Sequence, residues 1–149
     1  MRPFFIITGA EEFNRENTTA TLVKDLELKR APETTTRRSK RTDAAGAYEY
    51  CSDEEFRVLR NGCIYNAIRD AIYYGMRKGE TDGRDIACVH PADVAILRAY
   101  LLGQGRPVVI LDVGDAMLPD MPNVDAHFQP KNYSSVLAYV AKTYIKALQ

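Results

Sequence analysis

The chain has 149 residues, 46% of them apolar and 27% charged, with twenty Lys and Arg matched by twenty Asp and Glu. These proportions belong to an ordinary globular domain and exclude a disulfide scaffold, a collagen-like fibre and a disordered tail. Zero formal net charge argues against a dedicated nucleic-acid binder.

Phe4-Phe5-Ile6-Ile7, ending at Thr8-Gly9, is a continuous apolar run with the composition of a buried strand. Asn14 to Leu28 follows as a helix, with Leu22, Val23 and Leu26 on one stripe and Asn14 or Asn17 as its cap. Residues 29–46 show no periodicity. Within them, Lys29 to Arg41 holds Lys29, Arg30, Arg37, Arg38, Lys40 and Arg41 against the single acid Glu33, and the expectation is a mobile basic surface loop. A short strand is expected near Ala47–Tyr50.

Ser52-Asp53-Glu54-Glu55 matches the S-x-x-E capping box, so a helix should start there and turn Phe56 and Leu59 inward. Beyond an interruption at Asn61-Gly62, Ile64, Ile68, Ile72 and Met76 recur every four residues, which predicts a second helical stretch ending at Gly79. Thr81-Asp82-Gly83 is a turn. Ile86–Val89 reads as a buried strand, and His90-Pro91 opens a helix striped by Val94, Leu97, Leu101 and Leu102 and stopped at Gly103. Val108–Val113 is the next strand, which completes a βαβ unit. Residues 112–132 form a loop rich in Asp and Pro. Tyr133, Leu137, Val140, Tyr144 and Leu148 stripe a terminal helix.

The expected architecture is therefore a single α/β domain over residues 1–149. It has a small three- to four-stranded sheet with a βαβ unit and about four helices, arranged as a flavodoxin-like three-layer fold or as a more compact sandwich. No run of about 18 apolar residues exists to span a membrane. The apolar run at Phe4–Ile7 is shorter than the roughly 7 to 15 residues of a secretory core, so a cytoplasmic setting is expected. Cys51, Cys63 and Cys88 form no CxxC pair and read as reduced thiols. His90 and His127 are not at ligand spacing, and neither a metal nor another cofactor is expected.

Four places could carry chemistry. Thr8-Gly9-Ala10 follows the first strand, where α/β proteins tend to bind ligands, but it is neither G-x-G-x-x-G nor a P-loop. Asp112, Asp115, Asp120 and Asp125 follow a strand and could hold Mg²⁺ or a ribose hydroxyl as a nucleotide-binding loop, although Asp and Pro also simply make turns. The basic segment could meet phosphate or an acidic host protein. With no interleaved aromatics it lacks the platform for base stacking, and nucleic acid is not the expected partner. Tyr48 and Tyr50 lie beside Asp53, Glu54 and Glu55, the groups a cationic small molecule would seek. Acids there also suit a helix N-terminus.

Three pieces of the chain resemble the phage-encoded S-adenosylmethionine-degrading enzymes. They are Phe4–Thr8 leading to Asn14, Asn17, Leu22 and Leu26; Gly46-Ala47-Tyr48 followed by acids and Phe56-x-Val58; and Leu101-Leu102-Gly103-Gln104 running into Val108–Asp112. The resemblance implies a PII-like sandwich, trimeric, with sites between subunits and a small nucleoside metabolite as ligand. The implied reaction has the substrate's own carboxylate attack its γ-carbon, which expels methylthioadenosine and leaves homoserine lactone. Such chemistry asks mainly for orientation and electrostatics. On this resemblance Tyr48 and Glu54 are the catalytic candidates, and Thr8, Gly9, Asn17, Gln104 and Asp112 the substrate-binding ones. The other reading from a different class is a non-enzymatic phage or mobile-element accessory protein that docks on a host protein.

Overall fold

The computed structural model describes residues 2–118 and 121–148. The chain runs β1 (Phe4–Thr8), α1 (Glu12–Leu26), β2 (Glu33–Thr35), β3 (Tyr48–Tyr50), α2 (Asp53–Leu59), β4 (Cys63–Arg69), β5 (Ile72–Arg77) and β6 (Ile86–Cys88). It continues through α3 (Val94–Gly103), β7 (Val108–Val113), β8 (Ala126–Phe128) and α4 (Tyr133–Leu148). Two compact units result: residues 1–29 with 85–149, and residues 30–84.

The first unit is built on a parallel sheet of order β6-β1-β7-β8. All five residues of β1 are buried, as a central strand covered on both faces requires. Side chains alternate. Phe5, Ile7, Ile86, Leu111 and Val113 join Leu22 of α1 and Val136 and Val140 of α4 in one apolar cluster. Ile110 points to the other face, the side on which α3 packs, and shares a cavity wall there with Val94 and Ala95. The unit is thus a three-layer arrangement, the alternative to the PII-like sandwich. The β6–α3–β7 unit crosses over β1, which lies between its two strands. His90 and Pro91 open α3 through a turn of 3-10 helix, with His90 Nδ1 accepting from the backbone of Ala92 at 3.0 Å. Where the chain leaves and re-enters the unit, Lys29 N donates to Asp85 Oδ2 at 2.9 Å and Asp85 N to Lys29 O at 2.7 Å.

The second unit carries a mixed sheet of order β3-β2-β5-β4, with β2 parallel to β3 and antiparallel to β5. The capping box forms as expected: Glu55 N donates to Ser52 Oγ, and Ser52 N to Glu55 Oε1, both at 3.1 Å.

Four expectations are corrected. The stretch Ile64–Met76 is not helical but the hairpin β4–β5, turned by Asp70 and Ala71, both with positive φ. Its isoleucine spacing of four is an even number, so it marks one face of a strand as well as one face of a helix. Ile68 is 61% exposed, whereas Tyr65 and Met76 are buried. Tyr65, Tyr73 and Tyr74 are the strand formers that tip the balance. Residues 29–46 are not all loop, because β2 is a fully buried strand inside them. Likewise β8 lies inside the stretch 112–132. Finally, α1 starts at Glu12 with no side-chain cap, so neither Asn14 nor Asn17 caps it. No helix among the described residues is long and apolar enough to cross a membrane.

Candidate functional site

At the carboxyl end of the parallel sheet, Thr8 and Asp112 are directly paired across β1 and β7. Gly9 is obligatory there, since a Cβ would lie 2.1 Å from the carbonyl oxygen of Val113. The buried Arg15 turns back from α1, and its Nη1 donates to Gly9 O at 3.1 Å. Asp112 Oδ2 accepts from Leu118 N at 3.0 Å and lies 2.9 Å from His127 Nδ1. Thr8 Oγ1, Arg15 Nε and Asp112 Oδ1 are buried without a hydrogen-bond partner among the described residues.

The Asp-rich loop does not gather its carboxylates. Asp125 Oδ2 is taken by the backbone N–H of Ile110 at 2.7 Å, and Asp115 is exposed. Asp120 lies outside the described residues. No group of three or more His, Cys, Asp or Glu is placed to hold a metal among the described residues. Ile110 is buried and β8 pairs with β7 only from Leu111 onward, so the Ile110 N–H needs a side-chain acceptor, and Asp125 supplies it.

In the second unit the basic segment is built around Asp43. Arg37 Nη2 donates to Asp43 Oδ1 at 2.9 Å, and Lys40 N to Oδ2 at 2.8 Å. The hydroxyl of Tyr50 also donates to Oδ2. The Arg37 guanidinium lies 4.6 Å from the Tyr48 ring centroid, and the Tyr48 and Tyr50 rings are 6.0 Å apart. Burial alone would raise the Asp43 pKa, but the donors from Tyr50, Arg37 and Lys40 lower it to about 2. Burial would lower the pKa of Arg37, but its bonds to Asp43 and Tyr48 raise it. With Arg37 occupied in this brace, the exposed side chains of Arg38, Lys40 and Arg41 make no ion pair among the described residues.

The residues singled out in the sequence are therefore divided. Thr8, Gly9 and Asp112 come together at the sheet end. Gln104 caps α3, whose chain leads back to the opposite, amino end of the strands, where Phe4 N donates to Pro107 O at 2.9 Å. Asn17 is exposed on α1, with its carbonyl taken by Thr21 at 2.7 Å. Tyr48 and Glu54 belong to the second unit. Tyr48 stands within the Arg37 cluster, and Glu54 is exposed in the first turn of α2. Arg15 and Asp43 carry no signal of their own in the sequence, His127 enters there only as a histidine off ligand spacing and Arg37 only as one of the basic cluster, because each acquires its role from a partner on another element or across a turn.

No protein-family model and no curated protein matches the chain. Among solved structures, the guanylate kinase from Anaplasma phagocytophilum superposes on it with a TM-score of 0.62 at 12% identity. The match covers 96% of this chain and 86% of that one. The chain is therefore an α/β protein whose fold resembles that of guanylate kinase.

Proposed function

We propose that this protein binds a nucleotide through the braced basic turn of its second unit and does not transfer phosphate from a nucleoside triphosphate. The observation that carries the reading is the set of three uncommitted cations, Arg38, Lys40 and Arg41, on a turn held by Arg37 and Asp43 beside Tyr48 and Tyr50. Cations take the phosphate as charge-assisted hydrogen bonds, and an aromatic face takes the base. The fold resemblance to a guanylate kinase supports the class of ligand.

The phosphoryl-donor half of such a fold does not fit this chain. A P-loop needs G-x-x-x-x-G-K-[ST], whose glycines and lysine cradle the phosphates. After Gly9 the chain has Asn14, Arg15 and Glu16 where the second glycine, the lysine and the hydroxyl would stand. Only Ala10 and Glu11 separate Gly9 from α1, and Glu11 and Glu12 put two carboxylates where an anion would sit.

The test is calorimetric titration of the protein with guanosine and adenosine monophosphates and the parent nucleosides. The monophosphates should bind and the nucleosides should bind at least about tenfold more weakly, with affinity falling as salt rises. Replacing Arg38, Lys40 and Arg41 together by alanine should remove the difference. Monophosphate binding by that variant as tight as by the wild type, or no heat with any monophosphate, would overturn the reading.

S-adenosylmethionine degradation with Tyr48 and Glu54 is the second proposal, since both residues lie in the same unit. The positive turn suits a phosphate better than a sulfonium cation, which places it second. Release of methylthioadenosine on incubation, abolished by Glu54→Gln, would put it first.

A further inference from the structure

The first unit contains a cavity of about 410 Å³ on the α3 side of its sheet. Ile110 of β7 forms part of its wall, with Pro91, Ala95, Met121 and Pro122 around it. The volume lies within the range of small-molecule sites. The lining is mainly apolar, with the amide of Asn123 at its edge and one charged side chain, Arg98, one turn beyond Val94 on the same stripe of α3. Arg98 is half-buried and makes no hydrogen bond or ion pair among the described residues. A lone guanidinium beside apolar walls is incompletely solvated, and an anion there meets a stronger field than it would at an open surface.

We infer that this cavity binds a small apolar anion: an aromatic or branched body against Pro91, Ala95 and Met121, and a single carboxylate or sulfonate on the Arg98 fork. Guanidinium and carboxylate match as a bidentate pair, which fixes orientation as well as charge. A nucleotide is a poor fit, because one guanidinium cannot balance its phosphates and the walls offer few donors for a base edge. The site lies within the first unit and does not depend on the nucleotide reading.

The probe is anilinonaphthalenesulfonate, read by fluorescence against its uncharged analogue N-phenyl-1-naphthylamine, with benzoate as competitor. The wild-type protein should bind both dyes and release the sulfonate to benzoate. Arg98→Gln should weaken the sulfonate about tenfold and leave the neutral dye within about twofold. Ala95→Trp, placed on the cavity wall at a solvent-facing position, should abolish binding of both while circular dichroism stays unchanged. The variant lacking Arg38, Lys40 and Arg41 should bind both dyes normally. Unaltered sulfonate affinity in Arg98→Gln, persistence of binding in Ala95→Trp, or no enhancement with wild type would each overturn the inference.

Discussion

Replacing Asp43 by asparagine tests the brace beneath the proposed ligand site. The carboxylate accepts on both oxygens: Arg37 at 2.9 Å on Oδ1, and Lys40 N at 2.8 Å together with the Tyr50 hydroxyl on Oδ2. An amide has one oxygen, so its NH₂ must face either the guanidinium or the Lys40 N–H, donor against donor. The drop in pKa from 3.8 to about 2 converts to about 2 kcal/mol. With 14% of the side chain exposed, solvent screening trims this to about 1–2 kcal/mol. Because the folded pKa lies below the unfolded one, the stabilisation is complete above the unfolded value near 4 and is lost as pH falls through about 2. Asp43→Asn should therefore destabilise the second unit by about 1–2 kcal/mol at pH 7, and the gap to wild type should close between about pH 4 and pH 2. Urea unfolding by circular dichroism, with hydrogen exchange read on residues 30–84, measures both. A gap below about 0.3 kcal/mol at pH 7, or one that stays constant into acid, would refute the assignment of Asp43 as the charged centre of the turn.

Three further outcomes follow from the geometry. Gly9→Ala should destabilise the first unit by about 2–3 kcal/mol and lower Tm by several degrees, because backbone at Val113 must retreat from the new Cβ; an unchanged Tm would show that β1 and β7 part freely. Ser52→Ala should cost about 1 kcal/mol in urea unfolding and Ser52→Thr much less, whereas equal losses would mean that the capping box carries no stability. The Cys51 thiol is pushed up by burial and by Glu55 and Asp53, and the Cys63 thiol by burial against the opposing pull of Arg77. Both should alkylate with iodoacetamide more slowly than a free cysteine at pH 7.5 and accelerate above pH 9; faster reaction than glutathione would contradict this.

Some of this protein could be read directly along the chain. Phe4–Ile7 has to be a covered strand because four consecutive apolar side chains fill both faces of a sheet. Ser52 and Glu55 cap α2 from within a span of four residues. His90-Pro91 opens α3, and Gly9 marks the turn at the sheet end. Each of these depends on groups close in sequence, so local pattern suffices.

Tertiary pairing decided the rest. The spacing Ile64, Ile68, Ile72, Met76 satisfies helix and strand alike, and only the partnership of β5 with β2 and β4 selects the strand. Glu33–Thr35 carries no apolar signal, yet β2 is buried because two neighbouring strands satisfy its backbone and Tyr65 donates to Glu33 at 2.6 Å. Asp112 and Asp125 look alike in a list of acids. One meets His127 on the neighbouring strand and the other the backbone of Ile110. Arg37 is one of six cations in its segment until Asp43 and Tyr48 single it out. Roles of this kind belong to pairs of residues, and a pair exists only once the chain has brought its two members within hydrogen-bonding distance.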